Sequence, residues 1–201
     1  MSGLVNMSII PVGLFGLGIL TGQERPSRRL AGAIALGLVG LVALFWTRLG
    51  TAGASASGLV ATVVGSFCYC VGSVVARPLL GEIAPMTLTA AHALIGGVLL
   101  VLGSLAVEDV GAAQIAALAK WPVALSLAFL AVAGTVVAYT LYLRLMVVWG
   151  TARAGLYAFV SPIVALALGH LMFDEVIGPV EITGACLLLA ASALATFRVK
   201  P

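Results

Sequence analysis

The chain has 201 residues, 62% of them apolar and 8% charged, and its mean hydropathy is +1.22. A soluble domain carries about 25% charged residues, so this composition excludes a water-soluble globule and points to a polytopic membrane protein. The net charge of +3 comes from basic residues scattered singly or in short groups, with no basic stripe or interleaved aromatics, and gives no ground for a nucleic-acid partner.

A membrane-spanning helix needs about 20 predominantly apolar residues. Seven stretches meet that need: Leu4–Thr21, Leu30–Trp46, Gly58–Leu80, Ala84–Val107, Trp121–Val148, Ala152–Phe173 and Pro179–Phe197. The connections are short and rich in Gly, Pro, Ser and charge, as membrane exits require. The longest, Glu108–Lys120, is expected to hold a short surface helix. With the carboxyl end placed in the cytoplasm, one face collects Arg25, Arg28, Arg29, Arg77, Arg144, Arg153, Arg198 and Lys200, and the other only Arg48 and Lys120. Basic residues accumulate on the cytoplasmic side. Glu108, Asp109, Asp174, Glu175 and Glu181 fall on the basic-poor face. The expected topology is therefore multi-pass in the plasma or inner membrane, N-terminus outside and C-terminus inside.

One unit occurs twice. Asn6–Glu24 reads NMSIIPVGLFGLGILTGQE and Tyr157–Glu175 reads YAFVSPIVALALGHLMFDE. Aligning Pro11 with Pro162 gives an offset of 162 − 11 = 151 residues, and without a gap it pairs Gly18 with Gly169 and Glu24 with Glu175. The register continues into the next helix, where Ala33 meets Gly184 and Gly40 meets Ala191. The two copies are five spans apart. Five is odd, so the copies lie in opposite orientations, an inverted repeat of the kind that builds secondary transporters. A five-helix unit is complete over 58–198, and residues 1–50 supply only the last two helices of another. The expected whole is a two-unit, ten-helix bundle lacking its first three helices, about 90 residues at helix-plus-loop spacing.

Three stretches carry a family likeness. They are GTVVAYTLYLRLMVVWGTARAGLYAFVSPIVALALGHLMFDEVIGPVEITGACLLLAASAL over 134–194, SGLVNMSIIPVGLFGLGILTGQERPSRRLAGAIALGLVGLVAL over 2–44, and the Gly58–Arg77 helix closed by an arginine. In order and spacing they resemble the EamA family of the drug/metabolite transporter superfamily. The resemblance implies two inverted five-helix units around a central cavity. It also implies export or uptake of small metabolites, amino acids or drugs by alternating access, with export the direction expected. The alternative is a non-transporting membrane subunit or an inactive truncated fragment.

Polar residues inside a bilayer are functional candidates by default. Asn6, Ser66, Tyr69, His92, Tyr139, Tyr157 and Ser161 are the candidate substrate-lining residues. Each has a plainer reading as an interhelical hydrogen-bond partner, and His92 has one as a neutral, hydrogen-bonded histidine. Thr135, Tyr139 and Tyr142 form one helical stripe, and Ser66, Cys70, Ser73 and Arg77 another. Pro11 and Pro162 remove backbone donors within the membrane and are candidate gating hinges, or simply kinks. Glu24 and Glu175 close their helices at the unfavourable end of the helix dipole, so each is expected to have a compensating partner. His170 is expected at the interface. The small faces Gly32, Ala33, Gly37, Gly40 and Gly184, Ala191, Ala195 permit close helix approach and a possible homodimer. The three cysteines lie singly or as Cys-x-Cys inside apolar runs and read as packing residues. No metal or cofactor set and no catalytic motif is present: Gly50–Gly58 only approximates a nucleophile elbow. The reading is not an enzyme. The expected partners are a small-molecule substrate and the lipid bilayer.

Overall fold

The computed structural model describes residues 2–46, 55–108, 111, 116 and 118–196. Among these residues all regular structure is helical, and seven helices are long and apolar enough to cross a membrane. The protein is an all-α polytopic membrane protein. The helices are α1 (Ser2–Leu20), α2 (Arg28–Phe45), α3 (Ala56–Leu79), α4 (Pro85–Val107), α5 (Trp121–Phe129), α6 (Ala138–Trp149), α7 (Thr151–Ala154), α8 (Tyr157–Phe173) and α9 (Pro179–Thr196). A π-helical segment, Leu130–Val137, joins α5 to α6. The surface helix expected over Glu108–Lys120 falls largely outside the described residues, as do Arg48, Asp109, Arg198 and Lys200.

Local chemistry sets the ends. Ser27 Oγ accepts the Leu30 N–H at 3.4 Å and caps α2. Pro85 opens α4, where a proline loses no hydrogen bond. Two expected spans are less uniform than their apolar runs imply. Span five changes pitch at Leu130–Val137, where Thr135 Oγ donates to the Leu130 carbonyl five residues back at 3.3 Å. Span six breaks between α7 and α8 at Gly155–Leu156. A Cβ on Gly155 would lie 2.5 Å from Leu14 Cδ1, so the break lets the chain approach α1 closely.

The chain divides into two compact units. One comprises residues 1–75 and 149–201 and so contains both copies of the repeat. Its principal packing is α2 against α9, which run antiparallel: Arg29 Nε donates to the Leu194 carbonyl at 2.7 Å, and Gly40 and Leu44 meet Gly184. A Cβ on Gly184 would sit 2.5 Å from Leu44 N and 2.8 Å from Gly40 O, so only glycine admits this approach. The ring of Phe159 occupies the space where a Gly37 side chain would be. Ala33 and Ala191 are fully buried in the same cluster with Leu41, Leu188 and Phe159. The small residues other than Gly32 are thus buried within the chain, and Gly32 is exposed. The second unit, residues 76–148, carries α4, α5, the π segment and most of α6. Its α4 faces outward nearly throughout, with only Leu88 and Thr89 buried.

Candidate functional site

Each compact unit brings some of the sequence-selected residues together. In the larger unit Asn6 of α1 meets Ser66 of α3, with Ser66 Oγ 2.6 Å from Asn6 Oδ1. The same hydroxyl lies 2.7 Å from the Thr62 carbonyl, and its one proton serves one acceptor at a time. Tyr157 of α8 donates its hydroxyl to the Tyr69 hydroxyl of α3 at 3.2 Å. Beneath this tyrosine pair lies an apolar floor of Ile10, Leu14, Cys70, Val74 and Ala158. Ser161 turns back on its own helix and donates to the Tyr157 carbonyl at 3.1 Å. Cys70 is fully buried, with its sulfur against α1, where a Cβ on Gly13 would come within 2.7 Å of it. Cys68 and Cys186 are exposed.

In the smaller unit His92 Nδ1 lies 2.8 Å from the Tyr139 hydroxyl. The rings sit 5.7 Å apart, and Tyr142 extends the stack at 5.9 Å from Tyr139. One turn before His92, the buried Thr89 accepts the Thr140 hydroxyl at 3.0 Å. The two threonines were not selected from sequence, although Thr89 precedes His92 by three residues on one helical face. Thr135 remains exposed on the π segment.

Pro11 and Pro162 are both buried inside their helices. The repeated glycine and glutamate form one local structure twice. Glu24 N–H donates to the Gly18 carbonyl at 2.9 Å, and Glu175 N–H to the Gly169 carbonyl at 3.4 Å. A Cβ on Gly18 would lie 2.8 Å from Glu24 Cγ, and one on Gly169 would lie 2.8 Å from Glu175 Oε2. The glycine therefore makes room for the returning glutamate in both copies. Glu24 Oε1 accepts the N–H of Ala152, in α7, at 3.4 Å. The end of α1 thus lies beside the turn that starts α8. Its neighbour Gln23, not selected from sequence, donates from Nε2 to the Val74 carbonyl at 2.8 Å and accepts the Thr151 hydroxyl at 3.5 Å. At the other copy His170 Nδ1 donates to the Glu175 carbonyl at 2.8 Å, which fixes the proton on that nitrogen because a carbonyl only accepts. A cavity of about 360 Å³ extends from Glu175 and Glu181 down to Pro162 and is walled by Met7, Leu44 and Phe173. None of the seven candidate lining residues borders it.

The profile of the EamA-like transporter family matches residues 56–197. The chain belongs to the EamA-like transporter family. Family membership places it among membrane transporters rather than enzymes. It is 25% identical over 205 residues to a Salmonella typhimurium (strain LT2) protein named "Probable amino-acid metabolite efflux pump", with 99% of this chain and 69% of the relative covered. It is 27% identical over 206 residues to the uncharacterized inner membrane transporter YedA of Escherichia coli K12, with 100% of this chain and 65% of the relative covered. The chain thus spans about two thirds of the length of these curated relatives. No solved structure matches it.

Proposed function

We propose that this EamA-like chain works in moving small metabolites out of the cell by alternating access, through opposed rocking of inverted helical units (1–50 and 58–198). The observation that carries the proposal is the glycine–glutamate return, formed once at each end of an antiparallel helix arrangement. Such inverted arrangements let one site face either side of a membrane in turn. The proposed substrate-binding residues are Asn6, Ser66, Tyr69, His92, Tyr139, Tyr157 and Ser161, with Pro11, Pro162, Glu24 and Glu175 serving movement and end structure. These lining groups offer hydroxyls, an amide and an imidazole, and no fixed charge. They suit a neutral or zwitterionic small molecule with an apolar or aromatic body, held weakly. The likeness to the Salmonella efflux protein makes amino acids the first class to try. The proposed setting is the inner membrane, as for YedA, with the N-terminus outside and the basic-rich face in the cytoplasm. Of the small residues considered for a homodimer, Gly32 is the one left exposed.

The test is flux of radiolabelled amino acids in proteoliposomes. The expected result is saturable flux that falls at least about tenfold when Tyr139→Ala and Tyr157→Ala are combined, since one removes the hydroxyl against His92, the other the hydroxyl against Tyr69, and each removes a ring. Saturable flux untouched by the double substitution would remove the site assignment. Flux no greater than in empty liposomes, across the panel, would favour a non-transporting membrane subunit.

A further inference from the structure

The two ends of the larger compact unit are in different states. At the Glu24 end, Gln23 joins three elements: its own turn after α1, α3 through the Val74 carbonyl at 2.8 Å, and α7 through the Thr151 hydroxyl at 3.5 Å. Behind it, Leu14, Ser73, Thr151 and Ala152 are at most 1% exposed. At the Glu175 end the chain is open. The 360 Å³ cavity enters there, with Phe173 and Glu175 in its wall. It reaches Pro162, 173 − 162 = 11 residues back from the end of α8, about 17 Å at 1.5 Å per residue. Asp174, the repeat counterpart of Gln23, makes no cross-helix hydrogen bond among the described residues; it takes a left-handed turn at φ 52° instead.

We propose that Gln23 is a latch that holds the Glu24 end closed, and that the structure is the state open toward the Glu175 end. A latch must be releasable, and a second group beside it favours release. Ser73 Oγ is buried with no hydrogen-bond partner among the described residues. A buried hydroxyl without a partner is destabilising by an amount similar to what one or two ordinary hydrogen bonds contribute. The closed end thus gains the Gln23 bonds and loses the hydration of Ser73. Opening reverses both, so the two states stay close in free energy and a bound substrate can tip them. Gln23 acts through helix positions and touches no substrate. It is a positioning residue, and the assignment rests on the transport reading above only for its purpose, not for its geometry.

The experiment places single reporter cysteines in a background where Cys68, Cys70 and Cys186 are replaced by alanine. Ser73→Cys reports the latched end and Ala165→Cys, which lines the cavity, reports the open end. Labelling by a small soluble maleimide is followed in detergent on monodisperse protein. With Gln23→Ala, labelling of the Ser73 reporter is expected to rise about tenfold while that of the Ala165 reporter falls. Gln23→Glu, the same size without the amide donor to Val74, is expected to do the same. Labelling that rises at both reporters would mean general loosening and overturn the proposal, as would no change at either. Proteoliposome flux on the same variants separates the two claims: opposed labelling without flux supports the latch and removes the transport reading.

Discussion

Asn6–Glu24 and Tyr157–Glu175 are the same unit written twice, and their differences are as instructive as their likeness. Where residues are shared, so is structure: a buried proline, then a glycine whose missing Cβ admits the returning glutamate. Where residues differ, the ends diverge. The first copy turns on Gly22 at φ 71°, the second on Asp174 at φ 52°, one position later in register. That shift frees Gln23 to reach α3 and α7, whereas Asp174 is used up in the turn itself. Asn6 and Tyr157 occupy equivalent positions and both bond to α3, one to Ser66 and one to Tyr69. The repeated unit thus keeps its shared turn and varies the groups it presents.

The sharpest way to break the pairing of α2 with α9 is Gly184→Val. Its Cβ would press on the backbone atoms Leu44 N and Gly40 O, which cannot rotate away. A loss of about 3 kcal/mol is expected in detergent unfolding, against no measurable loss for Gly32→Ala, whose Cβ meets nothing within 4 Å. Next come Gly18→Ala and Gly169→Ala. Each displaces a flexible glutamate, so each should cost about 1 kcal/mol, and the two losses should agree within about 0.5 kcal/mol. Unequal losses would show that the shared sequence is not shared mechanics. Removing one hydroxyl of the tyrosine pair, Tyr69→Phe, should cost only about 0.6 kcal/mol in stability, the average for a membrane-buried hydrogen bond. Of similar size is the turn swap: Asp174→Gly should gain less than about 1 kcal/mol by relieving a left-handed residue, and Gly22→Asp should lose a similar amount.

The helices and the repeat were legible because they depend on local quantities. Apolar run length sets the number of spans, and Pro11/Pro162, Gly18/Gly169 and Glu24/Glu175 recur at fixed spacing. The π segment at Leu130–Val137 was hidden because its apolar run fits an α-helix equally well. Which polar groups meet was only partly legible. The stripe on α3 correctly put Ser66 and Cys70 on an inward face, yet their partners on α1, sixty residues away, depend on how helices cross. Gln23 looked like an ordinary loop residue. Its role arises from the reach of a long amide to Val74, 51 positions further on. The buried Thr89–Thr140 bond was missed for the same reason.

The central claim, that one sequence unit is used in opposite orientations, is tested most directly by sidedness. In the cysteine-replaced background, Pro26→Cys follows the first copy and Val176→Cys the second; both positions are exposed. In intact cells a membrane-impermeant maleimide should label Val176→Cys from outside, and Pro26→Cys only after the membrane is opened. Labelling of both from the same side would contradict the inverted arrangement.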